Sequence, residues 1–424
     1  MLMSLMKIST EETLLNSVSI AFIVISTFVL LPIRHGIDGR FTIVLLFLFA
    51  GVLLILRSRS VNFRLLDSFL ARMRASVAWG AFVHRQKALT PLLIYSFAFL
   101  LLVFRVWRMG DSVELDELSH LELTKSVAAF DLESWIETFT VKTGLNPPLP
   151  YFSMAILLRP FDFSLLAGRV ILCLWAALIP VVLFYMLHEL CGESTTAISA
   201  SLAYTLSTLY QGAMFKYDFD ALSTLFFTLS VYSFVVAVKR KKRSYLGYSM
   251  IAWILLILTK YPPAGWLFLG FILTGLLHRE VRSQLGFVLL ALLIALLIVV
   301  AVSPAQLGII AGYFARWRPP DMEYAIPLFR DFAVILGWSP YLAFVFKLGV
   351  VKKTRDPTST LSVVLIVLAF ISPIFNPLTR RVIQAIPLLA ATLVDFSMRR
   401  WSRTTSLLML MNFCWWGVIK LPYL

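Results

Sequence analysis

Two neighbouring carboxylates, Asp116 and Glu117, are the residues of this sequence best suited to chemistry. They stand in the stretch 108–151, the one long acidic segment of a basic, very apolar chain, with Asp111, Glu114, Glu122, Asp131, Glu133 and Glu137. Its basic residues are Arg108, Lys125 and Lys142, and it closes on Asn146-Pro147-Pro148-Leu149-Pro150-Tyr151. A carboxylate held in place can accept the proton of an attacking hydroxyl. Loops beyond about 12–15 residues are usually functional or disordered, and this one is too apolar for a solvated linker. Leu115, Leu118, Leu121, Leu123, Val127, Phe130 and Trp135 recur near the helical period, which predicts short amphipathic helices on the membrane surface. Asp116 and Glu117 then lie at a water–lipid boundary. His120, nearby in the same stretch, is a further candidate for substrate or metal.

Other polar groups interrupt the apolar runs. Phe215-Lys216-Tyr217-Asp218-Phe219-Asp220 separates two of them. Aromatic and charged residues there form an interfacial belt, or Asp218 and Asp220 join the cavity of the acidic stretch. The run 246–277 is broken by Lys260-Tyr261-Pro262-Pro263. An unbroken helix of that length would reach roughly 48 Å, too long for one span, while each half falls short of a ~30 Å core. The break is therefore recessed, where irregular backbone is tolerated beside a protein-enclosed or watery cavity. Lys260 at that break is either a functional cation or the snorkelling end of a short helix. Arg169 sits early in the span 164–187 and reads as a side chain that snorkels outward. Arg380 and Arg381 lie between two further spans, against the usual charge rule, and a bound lipid phosphate would account for them. The stretch 303–330 adds Tyr313, Arg316, Trp317, Arg318, Asp321 and Glu323.

The elements that must position these groups are membrane helices. Hydrophobic residues make up 59% of the chain and charged residues 14%, which defines an all-α polytopic membrane protein. Apolar runs fall near 15–33, 41–56, 90–107, 164–187, 195–212, 221–238, 246–259, 263–277, 285–302, 331–350, 359–375, 382–397 and 404–420, giving about 11–13 transmembrane helices. The net charge of +15 suggests nucleic acid until its distribution is read. Lys and Arg concentrate in 57–89, 239–243, 279–282, 352–355 and 399–403, a positive-inside pattern that places those loops in the cytoplasm and the acidic stretch outside. Arg34 and Arg40 are exceptions to it. No nucleic-acid partner is expected; membrane lipids are. Residues 1–89 form a two-span extension with a basic amphipathic cytoplasmic segment, and 90–424 form the core. The first apolar run has no small-residue cleavage site after it and reads as an anchor. Cys173, Cys191 and Cys414 lie in or beside apolar runs and imply neither disulfides nor metal-ligand spacing. The run 147–150 should fix an extended turn, since its prolines oppose a regular helix.

Taken in order, these motifs resemble the GT-C membrane glycosyltransferases, and most closely the branch of protein O-mannosyltransferases and lipid A aminoarabinose transferases. The resemblance rests on Asp116-Glu117, Asn-Pro-Pro-Leu-Pro-Tyr, an early Arg, Lys-Tyr-Asp-Phe-Asp, Leu-Thr-Lys260-Tyr-Pro-Pro and the Arg pair before Ile386-Pro387. It covers roughly 90–400. One departure is Asn146, where the family usually has His; a metal or substrate role of that position is in question here. The resemblance implies an extracytoplasmic enzyme that transfers a sugar from a polyprenyl-phosphate donor to a protein, lipid or glycan by one inverting displacement. In that reading Asp116 is the base, and Glu117 positions acceptor or a possible divalent metal. Lys260, Arg380 and Arg381 hold the donor phosphate, while Asp218, Asp220, Asn146 and His120 are possible substrate or metal contacts. A transporter or lipid flippase is the competing reading, with Lys260 lining a path, although no internal repeat supports it. A catalytically silent scaffold is a further alternative.

Overall fold

The structure, a computed structural model, describes residues 77–109, 113–128, 147–192, 194–282, 285–302, 348, 356–375 and 384–392, with most side chains from Leu89 onward. Among the described residues every regular element is helical. The order is α1 (Val77–Met109), α2 (Leu115–Ala128), α3 (Leu149–Leu158), α4 (Leu165–Cys191), α5 (Ser194–Thr205), α6 (Thr208–Ala213), α7 (Asp220–Arg240), α8 (Arg243–Ile257), α9 (Tyr261–Leu277), α10 (Arg279–Arg282), α11 (Leu285–Val302) and α12 (Pro357–Phe375). Segments Leu89–Met109, Leu165–Cys191 and Asp220–Arg240 are long and apolar enough to cross a membrane, and shorter apolar helices accompany them. The protein is a polytopic membrane protein.

Helix α4 is central, with α1, α5 and α7 packed around it; α8 lies on α7, and α9, α11 and α12 extend the bundle. Its ends follow local rules. Ser164 caps the start, accepting the amide of Ala167 at 3.5 Å, and Gly192 ends it at φ +72°, where a side chain would be strained. Pro180 inside α4 has no N–H, so the carbonyl of Ala176 loses its helical donor. The buried hydroxyl of Tyr210 supplies one instead, at 3.3 Å. Between α7 and α8, Ser230 and Ser249 exchange hydroxyl-to-carbonyl bonds at 2.8 Å, a polar join suited to a bundle surrounded by lipid. Gly270 and Gly275 let α9 approach Leu365 and Leu285 closely.

Two expectations about segments change. The run 195–212 is not one helix: α5 ends at Thr205 and α6 starts at Thr208, because Ser207 turns the chain and caps α6 through Tyr210 N–H. The prolines of 147–150 do not enforce an extended turn. Pro148 is already helical (φ −73°, ψ −26°) and α3 starts at Leu149, since the first helical turn needs no amide donors. The expected break does occur at Lys260, whose extended backbone (φ −161°, ψ 119°) separates α8 from α9. Pro262 and Pro263 sit in the first turn of α9, where prolines fit. Leu149 N–H donates to Leu258 O at 3.2 Å, which ties the start of α3 to this break.

The bundle's two ends differ. At one, the C-terminus of α7 and the start of α8 carry Lys239, Arg240, Lys241, Lys242 and Arg243. There Arg240 meets Glu189 with bonds of 3.0 and 2.6 Å. At the other end, α2 and α3 lie beside the start of α4, the turn 214–219, the start of α7 and the break at Lys260. The candidate site forms there.

Candidate active site

The helical period of α2 was legible, and the face it buries only in part. Glu117, Leu121, Thr124 and Val127 point inward, at intervals that keep one side of a helix. Leu115 (84% exposed) and Leu118 project away, on the side where Asp116 is also exposed. The reason is polar pairing. Glu117 is 1% exposed, and Arg169 of α4, 2% exposed, faces it. Arg169 Nε donates to Glu117 Oε1 at 3.0 Å and Nη2 to Oε2 at 2.6 Å. The amides of Tyr217 (2.7 Å, to Oε1) and Glu114 (3.2 Å, to Oε2) complete the set. Arg169 therefore does not snorkel outward. A buried carboxylate partner and two fitted bonds outweigh the solvation its guanidinium would gain at the surface. Burial pushes the Glu117 carboxyl up, but the bonds from Arg169 and from the amides of Tyr217 and Glu114 bring it below its ordinary value.

Tyr217 grips α2 a second time. Thr124 Oγ1 donates to the carbonyl of His120 at 2.8 Å, so the Tyr217 hydroxyl donates to Thr124 at 2.9 Å. Burial raises the phenol above its ordinary range, the Thr124 bond opposing in part, and it stays protonated. Gly168 makes room for the ring: a Cβ there would lie 2.6 Å from Tyr217 Cδ2. His120, half-buried, shares a bond of 3.0 Å with the Tyr151 hydroxyl of α3 and packs on Phe219, ring centroids 5.0 Å apart. Lys216 pairs with Glu114 at the start of α2.

Three residues after Tyr217, the same turn reaches Lys260. Asp218 Oδ1 accepts the amide of Asp220 at 2.9 Å, and both carboxylates are buried. Asp220 Oδ1 accepts from Lys260 Nζ and, at 3.3 Å, from Gln384 Nε2, which also donates to Ser223 Oγ at 3.0 Å. The Lys260 side chain keeps 28% of its surface exposed. The turn 216–220 thus connects Asp116 and Glu117 on α2 to Lys260 at the helix break. His120 joins this cluster through Tyr151 and Phe219. Asn146, Arg380 and Arg381 lie outside the described residues.

Among the described residues no three His, Cys, Asp or Glu side chains gather as metal ligands. Asp218 and Asp220 already hold an amide and a lysine, and Glu117 holds an arginine. These carboxylates do not fit a resident divalent metal. The expectations missed Gln384, Tyr217 and Tyr151 as site-building residues. Gln384 carried a signal, being polar inside an apolar run.

Comparison with known proteins follows this geometry. The family described as dolichyl-phosphate-mannose-protein mannosyltransferase matches residues 145–304, which include Arg169, the turn 216–220 and Lys260. ArnT from Cupriavidus metallidurans bound to undecaprenyl phosphate superposes with a TM-score of 0.57 at 17% identity, over 75% of this chain and 62% of that one. Its apo state gives a TM-score of 0.56 at 17% identity, over 78% and 62%. The fold is GT-C. This chain spans 62% of ArnT's length. The family match spans α3 to α11 and leaves out α2, and no curated protein sequence matches the chain.

Proposed function

We propose that the protein transfers a sugar from a polyprenyl-phosphate-linked donor to a protein, lipid or glycan acceptor on the extracytoplasmic side, in one inverting displacement. The observation that carries this reading is the hydrogen-bonded turn 216–220, which joins the helix of Asp116 to the cation at the helix break. The family match over residues 145–304 and the GT-C fold support it, and one structural relative is described as bound to undecaprenyl phosphate.

Asp116 is the base. Its side chain is exposed beside an immobilised neighbour, so it can meet an acceptor while Glu117 fixes the helix that presents it. The acceptor oxygen gives its proton to Asp116 and bonds to the anomeric carbon. The bond from that carbon to the phosphate oxygen breaks, and the lipid phosphate leaves with the electron pair. A phosphate leaving group needs cationic hydrogen-bond donors more than a general acid. Lys260 supplies one, held by Asp220 yet partly exposed. Arg380 and Arg381, four and three residues before Gln384 in the sequence, are assigned to the same phosphate as further cations. Asp218 and His120 line the same cluster and are assigned to orient substrate, and Asn146, which precedes α3 in the sequence, is assigned the same role. The cluster of Lys and Arg at 239–243, at the opposite end of the bundle, supports an extracytoplasmic site.

The test is mass spectrometry of surface proteins, lipids and glycans from cells carrying no copy, the parent or Asp116→Asn. The expected result is a glycosylated product with the parent alone. A product that persists in the Asp116→Asn cells at parental level removes Asp116 as base, and a profile identical in all three removes the transfer itself.

A further inference from the structure

The inward stripe of α1 runs through Ile94, Ala98, Leu102 and Val106, all buried, while Leu93, Leu100, Phe104 and Trp107 face outward. Arg105 lies on the inward side and is 2% exposed. Its Nε donates to the carbonyl of Gln211 in α6, at a long 3.5 Å. Its Nη1 is enclosed without a hydrogen-bond partner, and no carboxylate pairs with Arg105 among the described residues. The same contact holds a second orphan. Gln211 spends its amide nitrogen on Leu206 O at 3.1 Å, and its Oε1 is enclosed with no donor.

A guanidinium taken out of water without a counter-ion costs several kcal/mol, and an ionisable side chain inside a membrane bundle points first to a function. The carbonyl of Gln211 answers only part of the demand. A neutral dipole at 3.5 Å leaves the charge and Nη1 of the guanidinium unsatisfied. Gln211 Oε1 asks for the opposite, a hydrogen-bond donor. One chemical group meets both needs: a phosphate whose oxygens accept from the planar fork of Arg105, and which carries a hydroxyl, its own or that of an attached sugar, to donate to Gln211. The location agrees. Arg105 stands near the end of α1 that leads into α2, and Gln211 stands shortly before the turn 216–220.

We propose that Arg105 and Gln211 form a phosphate-binding site between α1 and α6, separate from Lys260. The phosphate comes from a polyprenyl-phosphate lipid, in which case the site rests on the reading given above, or from a phospholipid headgroup. A bound oxyanion at this point pairs the one described arginine that is buried in the bundle without a carboxylate. It also fixes α1 against α6 and so steadies the approach to α2.

The experiment uses the full-length protein in nanodiscs. Binding is measured for undecaprenyl phosphate, undecaprenol and phosphatidylglycerol, with the parent, Arg105→Gln, Arg105→Lys and Lys260→Met. The parent should prefer undecaprenyl phosphate over undecaprenol. Arg105→Gln should lose tenfold to a hundredfold of that preference, the range expected for a charge-assisted bond, and Arg105→Lys an intermediate amount. A loss that appears with phosphatidylglycerol instead upholds the site and assigns it to a headgroup. Parental preference in Arg105→Gln, with or without a lower melting temperature, overturns the site and leaves Arg105 as a cap on α6. Should Arg105→Gln fail to fold, parental affinity in Arg105→Lys is the overturning result. If Lys260→Met loses binding while both Arg105 variants keep it, this site fails and the donor reading stands. A parent indifferent to the phosphate overturns both.

Discussion

Replacing Glu117 by Gln keeps the shape of the side chain and removes its charge. Four donors converge on that carboxylate: two from Arg169 and the amides of Tyr217 and Glu114. An amide offers one oxygen, and its NH2 faces donors that it cannot accept from. The two guanidinium bonds, at about 1.5–3 kcal/mol each, set a loss of roughly 3–6 kcal/mol. That agrees with the roughly 3–5 kcal/mol found when one partner of a buried pair is removed. Against a typical folding stability of about 5–15 kcal/mol, this is a large fraction. The pH dependence has a definite sign. Because the folded carboxyl titrates below its unfolded value of about 4.3, its contribution is complete above that pH and is lost as pH falls through the lower folded value. Thermal unfolding of the purified protein should therefore give a melting temperature with no Glu117-dependent change from pH 8 to 5. A fall below about pH 4.3 should appear in the parent and be smaller in the Gln variant. Glu117→Gln should melt far below the parent at pH 7. Equal melting temperatures at pH 7 would refute the reasoning, for they would mean that the pair contributes nothing to the fold.

Asp116→Asn should melt like the parent, since the side chain is exposed, yet lose about 10²–10⁴ in transfer rate; a rate within a few-fold of the parent shifts the base to Asp218 or Asp220. Lys260→Met strands the buried Asp220 and should destabilise the protein, whereas Lys260→Met with Asp220→Asn should fold and still bind the lipid-phosphate donor weakly; restored donor binding in the double variant contradicts the role of Lys260. Gly168→Ala places a Cβ 2.6 Å from the anchored Tyr217 ring and should cost about 1–3 kcal/mol by thermal unfolding, with no cost at all arguing against the tight fit. In a background freed of native cysteines, an impermeant thiol reagent added to intact cells should label Lys125→Cys and spare Lys241→Cys; labelling of both or the reverse pattern overturns the assigned side.

Local features were legible in the sequence because they are local. The break at Lys260 follows from run length and two prolines, and α2 follows from a helical period. Pairing across the chain was not. Arg169 and Glu117 are separated by 52 residues, and no periodicity records that one arginine abandons the surface for a partner on another helix. The same holds for Gln384, which meets Asp220 across 164 residues. The buried face of α2 was legible in part: Leu121 and Val127 of the apolar set are buried, whereas Leu115 and Leu118 point away, because Glu117 and Thr124 turn inward to Arg169 and Tyr217. The expected roles of Arg380, Arg381 and Asn146 concern residues outside those described.

Tyr217 holds α2 at Glu117 with its backbone and at Thr124 with its hydroxyl, two points seven residues or about 10 Å apart along the helix axis. A rod pinned twice can neither roll nor slide. The residues on its other side, Leu115, Leu118, Ser119 and Glu122, are exposed and stand outside that grip. Mutation can therefore redraw the outward surface around Asp116 without loosening the helix that carries it. In evolutionary terms, the outward side of α2 can drift while the other side is held by the fold, and under the proposed transfer that drift would fall on acceptor choice.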